Sequence, residues 1–87
     1  MRALLAGVID RGMRGEYVDY AAAEQATMAL SSILDAMKSA DALSGEQFKT
    51  LTTALNKCYA AVEKDEAYNP RTFLAALQAV EAAVPKT

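Results

Sequence analysis

Few side chains in this 87-residue sequence could do chemistry, and they lie far apart along the chain. The sequence has no histidine, which is the commonest general base and the commonest metal ligand in proteins. Its one cysteine, Cys58, falls on the apolar stripe of a predicted helix, while Lys57 points to another side. We therefore interpret Cys58 as a small buried hydrophobic residue and not as a nucleophile.

Three acidic residues, Glu63, Asp65 and Glu66, form a cluster that could bind a cation or do acid–base work. Their spacing matches no EF-hand loop, and Lys64 lies among them. Acidic groups at the end of a helix oppose its dipole, so we interpret the cluster as a solvated loop. The lengths of the two flanking helices would permit a helix-turn-helix, but this acidic lead-in is unfavourable for approaching phosphates.

The hydroxyl side chains lack a base that would activate them. Ser31 and Lys38 could formally pair, but the pattern is unspecific, and helical serines usually face solvent or bond to the preceding turn. The sequence contains no glycine-rich phosphate loop, no metal signature and no catalytic motif. We therefore expect a protein that is not an enzyme and that needs no metal or cofactor.

Composition excludes further classes of function. Nine basic residues against eleven acidic ones give a formal net charge of -2, which argues against nucleic acid as a partner. No apolar segment approaches the ~20 residues of a membrane span. A single cysteine cannot form an intramolecular disulfide, so a reducing cytoplasm is the expected location. The hydrophobic share of 53% is typical of a globular chain, and the length predicts one domain over 1–87.

The chain is predicted to be all-α, because alanine, the best helix former, supplies 19 of the 87 residues. The first predicted helix covers 2–11, and Gly12 and Gly15 are expected to break it. The second is predicted over 17–40. Apolar residues recur at helical spacing through both segments.

Local signals place the other two helices. A capping box that starts at Ser44 opens the third, which is predicted to run to about residue 64. Asn69 and Pro70 suit the start of the fourth, and Pro85 stops it. Short connections favour antiparallel neighbours. The sequence thus predicts a small antiparallel helical bundle of three main helices plus a short N-terminal helix.

The predicted core is made of the apolar residues that repeat along each helix. In chain order these are Leu4, Leu5, Val8, Ile9, then Ala22, Ala26, Ala29, Ile33, Ala36, Ala40 with Ala23, Leu30, Leu34, Met37 beside them, then Phe48, Leu51, Leu55, Cys58, Tyr59, Val62, and finally Phe73, Leu77, Val80, Val84 with Leu74 on the flank. The side chains of the Ala22–Ala40 seam are so small that they would let another helix come close.

Tyr17 and Met28 fall on the polar side of the second predicted helix, where a monomer has no evident use for them. Both residue types are favoured in binding patches. The alternative is that the N-terminal helix folds over this face and covers them. Arg11 and Arg14, with Arg2 nearby, could hold an acidic partner, or they could be an ordinary solvated face.

These observations favour a small non-catalytic protein–protein interaction module, such as an adaptor, inhibitor or accessory subunit. Its partner-binding residues are predicted to be Tyr17, Met28, Ala22, Ala29, Arg11 and Arg14. One alternative is a homodimer across the alanine-rich face of the second helix, which Ala29→Glu would disrupt and which a monomer burying Ala29 in its own core would contradict. The less favoured alternative, a ligand-binding or enzymatic domain that uses carboxylates or tyrosine hydroxyls, requires a pocket with converging polar groups.

Overall fold

The computed structural model describes residues 2–84, apart from the side chain of Asp65. Within these residues the chain forms four α-helices and no strand, so the predicted all-α fold is confirmed. The helices are α1 (Arg2–Met13), α2 (Tyr20–Ser39), α3 (Gly45–Ala61) and α4 (Pro70–Ala83), and a short 3-10 turn, Asp65–Ala67, connects α3 to α4. The predicted stop at Pro85 lies outside the described residues.

The helices pack in a ring, in which α1 contacts α2, α2 contacts α3, α3 contacts α4, and α4 returns to α1. Two contacts give the direction of α1 against α4. Gly12, near the end of α1, lies against Leu77, whereas Leu5, near its start, shares a groove with Val84. The two helices are therefore antiparallel, and α1 is a full member of the bundle.

Side-chain caps fix where the helices begin. The prediction that the second helix starts at Tyr17 was wrong, because Asp19 is extended (φ -113°, ψ 162°) and its carboxylate accepts a 2.8 Å hydrogen bond from the Ala22 amide. The capping box before α3 is confirmed. The Gln47 amide donates to the Ser44 hydroxyl at 3.1 Å, and the Ser44 amide donates to the Gln47 side chain at 2.9 Å.

The start of α4 also follows the prediction, whereas the end of α3 does not. The Asn69 side chain accepts a 2.9 Å hydrogen bond from the Arg71 amide, and Pro70 is the first residue of α4. Helix α3 ends at Ala61, three residues before the predicted end near 64. The backbone amide of Val62, the residue after the helix, donates hydrogen bonds to the carbonyls of Cys58 and Tyr59.

Gly12 does not break α1 as predicted. Residues from other parts of the chain pack into the space that a side chain at this position would occupy. The helix runs through it to Met13, and the chain turns at Gly15, whose φ is +82°. Gly12 is buried, and a Cβ there would contact the Tyr17 ring at 3.1 Å and overlap the Leu77 methyl group. Gly12 thus lets α4 and Tyr17 approach the α1 backbone.

The core contains most of the predicted apolar residues, but its centre on α2 is shifted. The α2 residues buried in the structure are Ala23, Ala26, Thr27, Leu30, Leu34 and Met37. Burial is thus centred on the residues that were predicted to lie beside the seam. Of the seam itself only Ala26 is buried, and the others are half-buried (Ala22, Ala29, Ile33, Ala36) or exposed (Ala40). Thr27 is tolerated because its hydroxyl donates to the Ala23 carbonyl at 2.9 Å. Two predicted core residues, Leu4 and Tyr59, are exposed.

Candidate functional site

Tyr17 lies in the linker between α1 and α2 and is held by three other residues. Its hydroxyl donates to the Val8 carbonyl at 2.8 Å, and its backbone carbonyl accepts a 2.6 Å hydrogen bond from the Tyr68 hydroxyl. Its ring meets that of Phe73 edge to face, with 6.0 Å between centroids. Burial raises the pKa of Tyr17, which the nearby Arg11 partly offsets. The alternative in which α1 covers Tyr17 therefore agrees with the structure.

An aromatic cluster surrounds this linker and joins it to the start of α4. The rings of Tyr20 and Tyr68 lie 6.3 Å apart, and those of Tyr68 and Phe73 lie 6.2 Å apart. Burial, with the charge of Asp19 as a second cause, raises the pKa of Tyr68. The phenols of Tyr17 and Tyr68 both act as hydrogen-bond donors to backbone carbonyls, so the cluster holds the end of the bundle together.

Met28 is placed quite differently from Tyr17, with which it was predicted to share a surface. It is 60% exposed and lies on the side of α2 that faces away from the core. Ala22 and Ala29 are half-buried at the edge of the same helix. Because α2 begins only at Tyr20, helical periodicity does not carry Tyr17 onto the Met28 side. Tyr17 thus lies in the linker before α2, whereas Met28, Ala22 and Ala29 lie on α2 itself.

The two predicted arginines lie near the end of α1, and both are exposed. The Arg14 guanidinium contacts the Asp10 carboxylate at 2.9 Å, one helical turn away. Since the two side chains are 70% and 57% exposed, this pair contributes little to stability. Arg14 thus lies against Asp10, which also lines a groove between α1 and α4.

Cys58 is fully buried in α3, as the sequence predicted. Burial raises the pKa of its thiol to about 11. At neutral pH the side chain is therefore a neutral thiol inside the core, where it packs as a hydrophobic residue.

A groove of about 540 Å³ opens between the first half of α1 and the end of α4. Leu5 and Ile9 form its floor, and Ala6 lies beside them. Its other lining residues are Arg2, Gly7, Asp10, Glu81 and Val84. This groove thus has an apolar floor and a charged rim.

A smaller hollow of about 130 Å³ lies between the same two helices at the opposite end. Its lining is apolar apart from Arg71 and includes Gly12, Tyr17, Leu74 and Leu77. Beside it lies Val18, which is 65% exposed. We call the groove and the hollow together the α1–α4 seam.

Sequence reasoning missed this seam, although it singled out Tyr17, which lines the hollow. Ala6 and Gly7 follow Leu5 in the sequence, and such small residues next to an apolar stripe are a signal for a shallow helix surface. Glu81 and Val84 come together with them only because α4 returns antiparallel to α1. Sequence spacing cannot indicate that pairing.

Among residues 2–84 no group of three or more His, Cys, Asp or Glu side chains is placed to hold a metal ion. Every buried side-chain nitrogen or oxygen there has a hydrogen-bond partner. None of the described helices is long and apolar enough to cross a membrane.

Comparison with protein-family models, curated proteins and solved structures found no match to this chain.

Proposed function

We propose that this chain is a small, non-catalytic helical interaction module that binds a partner protein in the groove between α1 and α4. The observation that carries the proposal is the groove itself, whose apolar floor of Leu5 and Ile9 is bordered by Arg2, Asp10 and Glu81. Apolar side chains of a partner would be removed from water on this floor, and polar groups would meet the rim.

The groove is suited to binding because its floor belongs to the core. Leu5 and Ile9 are 1% and 4% exposed, so the packing of the bundle fixes their positions. A partner would therefore meet a preformed surface and would lose little free energy in ordering it. Stable binding would require an interface of more than ~1,000 Å² in total, so the partner must also contact the helix surfaces around the groove.

Selection of peptides from an unbiased display library of random sequences tests this proposal. Ala6→Arg places a long charged side chain at the groove, whereas Ala75→Arg makes the same change at an exposed alanine of α4 outside it. We expect the selected peptides to bind the wild-type chain and the Ala75→Arg variant alike, and to lose at least tenfold in affinity for Ala6→Arg. Peptides that bind all three proteins equally would contradict the proposal.

Self-association is the second candidate function, and it has a structural observation of its own. Ala22, Ala29 and Ala36 are half-buried along one edge of α2, and Met28 is exposed on the same helix. A second copy could pack on this edge with two-fold symmetry. Light scattering at micromolar concentrations would then give a dimer mass that Ala29→Glu reduces to the monomer mass, whereas a monomer mass for the wild-type chain would contradict this candidate.

We further propose a cytoplasmic setting and a partner that is a protein and not a nucleic acid. The single cysteine and the net charge of -2 support these two points. A gel-shift assay with mixed DNA and RNA oligonucleotides at low salt should therefore show no complex.

A further inference from the structure

We infer that α1 is a helix that forms only in its docked position, and that it leaves the bundle together with Tyr17, about a hinge at Val18, while α2, α3 and α4 stay folded. The docked form has the groove between α1 and α4. The undocked form lacks it, because Leu5 and Ile9 of the groove floor leave with α1. Undocking of α1 therefore controls partner binding, and this consequence alone rests on the proposed function.

Helix α1 supplies few of the side chains that form the core. Among the described residues seventeen hydrophobic residues are buried, and two of them, Leu5 and Ile9, belong to α1. The other fifteen lie on α2, α3 and α4 or within two residues of their ends. The remaining three helices therefore keep most of the apolar core when α1 leaves.

Helix α1 would not keep its helical form away from the bundle. It has 12 residues, and isolated helices shorter than about 12–15 residues are marginal in water. Gly7 and Gly12 lower its helix propensity further. Docking through Leu5, Ile9 and Gly12 is thus what keeps α1 helical, so undocking and loss of the helix are one event.

The hydrogen bonds of the linker divide at Val18. Before it, the Tyr17 hydroxyl donates to the Val8 carbonyl at 2.8 Å, and the Glu16 amide donates to a carbonyl of α1 at 3.1 Å. After it, the Asp19 side chain caps α2. Val18 itself is 65% exposed. A change of the backbone angles at Val18 therefore separates α1 and Tyr17 from α2 while the cap of α2 stays intact.

Tyr68 and Phe73 hold this end of α1 in the docked position. The Tyr68 hydroxyl donates to the Tyr17 carbonyl at 2.6 Å, and the Phe73 ring meets the Tyr17 ring edge to face at 6.0 Å. Tyr68 precedes α4 and Phe73 lies near its start, so both stay with the other helices when α1 leaves. Removing the Tyr68 hydroxyl should therefore favour the undocked form.

Native-state hydrogen exchange of the full chain, followed by NMR, tests the inference. We expect the backbone amides of residues 8–13 to share one protection factor, at least tenfold lower than that of the slowest amides of α3, and to respond alike to low concentrations of urea. Protection that is graded along α1 and insensitive to urea would show fraying and contradict the inference. Protection equal to that of α3 would also contradict it, because α1 would then open only with the whole chain.

Two substitutions separate undocking of α1 from unfolding of the whole chain. Ser44→Ala removes the cap of α3 and should lower the protection of the slowest α3 amides about fivefold, but leave residues 8–13 unchanged. Gly7→Ala, at an exposed position of α1, should raise the protection of residues 8–13 about two- to fivefold, because opening melts the helix. An equal fall in both helices on Ser44→Ala refutes separate opening, and no change on Gly7→Ala refutes melting.

A second pair tests the contact that holds α1 in place. Tyr68→Phe should lower the protection of residues 8–13 about fivefold through loss of its hydrogen bond to the Tyr17 carbonyl. Tyr59→Phe, at an exposed tyrosine of α3, should leave the same amides unchanged. Equal effects of the two substitutions would show that Tyr17 does not move with α1.

A groove-dependent peptide from the display library links undocking to binding. The peptide binds only the docked form, so at about one hundred times its Kd it should raise the protection of residues 8–13 about hundredfold. If α1 opens separately but the peptide leaves this protection unchanged, the proposed groove is wrong and the inference about α1 stands. If the peptide binds at the groove but α1 opens only with the whole chain, the inference is wrong and the proposed function stands.

Discussion

The same substitution, glycine to alanine, should have opposite effects at two positions of α1. Gly7 lies in the interior of the helix, is exposed, and a Cβ there would meet nothing within 4 Å. Alanine is favoured over glycine in a helix by up to about 1 kcal/mol. Gly7→Ala should therefore raise the free energy of unfolding by about 0.5–1 kcal/mol.

At Gly12 the same methyl group would collide with neighbouring side chains. It would overlap the Leu77 methyl group and contact the Tyr17 ring at 3.1 and 3.2 Å. Leu77 is fully buried, so its side chain must leave its packed position to make room for the new methyl group. Overpacking a core costs about 1–3 kcal/mol. Part of this is offset by the helix propensity of alanine, and the expected net change for Gly12→Ala is a loss of up to about 2 kcal/mol.

The comparison of the two variants cancels most of the propensity term and isolates the contact between α1 and α4. Urea unfolding followed by circular dichroism at 222 nm measures both. The free energies of unfolding should differ by about 1–3 kcal/mol, and the melting temperatures by at least about 4 °C for a chain of this size. Equal stabilisation by the two substitutions would refute the close approach of α4 to α1 at Gly12.

The remaining predictions concern a cap, a hydrogen bond and the buried thiol. Ser44→Ala should lower the free energy of unfolding by about 1 kcal/mol through loss of the capping box, whereas Ser39→Ala, at an exposed position, should leave the urea midpoint nearly unchanged. Tyr68→Phe removes the 2.6 Å hydrogen bond to the Tyr17 carbonyl and should lower the free energy of unfolding by about 1 kcal/mol. An equal loss for Tyr59→Phe, at an exposed tyrosine, would show that this hydrogen bond is not the cause. Cys58 should react with a disulfide reagent at pH 8 only on unfolding in urea, so rapid labelling of the folded chain would show that the thiol is accessible. Burial raises the pKa of Cys58 from 9.0 to about 11, so the unfolded chain releases the thiol proton first and the free energy of unfolding should fall as the pH rises from 9 to 11. Cys58→Ala should show a smaller fall over that range.

Local signals in the sequence were enough to predict the helices and most of their starts. The hydrogen bonds of Ser44 and of Asn69 are made within three residues, so their geometry depends little on the rest of the chain. The wrong start at Tyr17 has a local cause too, because Asp19 is a good N-cap and outranks the apolar periodicity.

The contacts between helices could not be predicted in this way. Glycine breaks an isolated helix, but Gly12 is retained in α1 because the close approach of Leu77 and Tyr17 needs a residue without a side chain. The predicted apolar face of α2 was centred on the Ala22–Ala40 seam, whereas the structure centres it on the neighbouring residues Ala23, Leu30, Leu34 and Met37. The α1–α4 seam depends on how two helices at opposite ends of the chain are paired, which no spacing within either one encodes.

Mapping the bound peptide on the protein by NMR tests the central proposal most directly. Backbone amide resonances of the ¹⁵N-labelled chain would be followed during titration with a library-selected peptide whose binding Ala6→Arg weakens. We predict that the shifts concentrate on Leu5–Asp10 and Leu74–Val84, the two sides of the seam. Shifts centred on Ala22–Ala36 of α2, or no saturable shift on α1 and α4, would contradict docking at the seam.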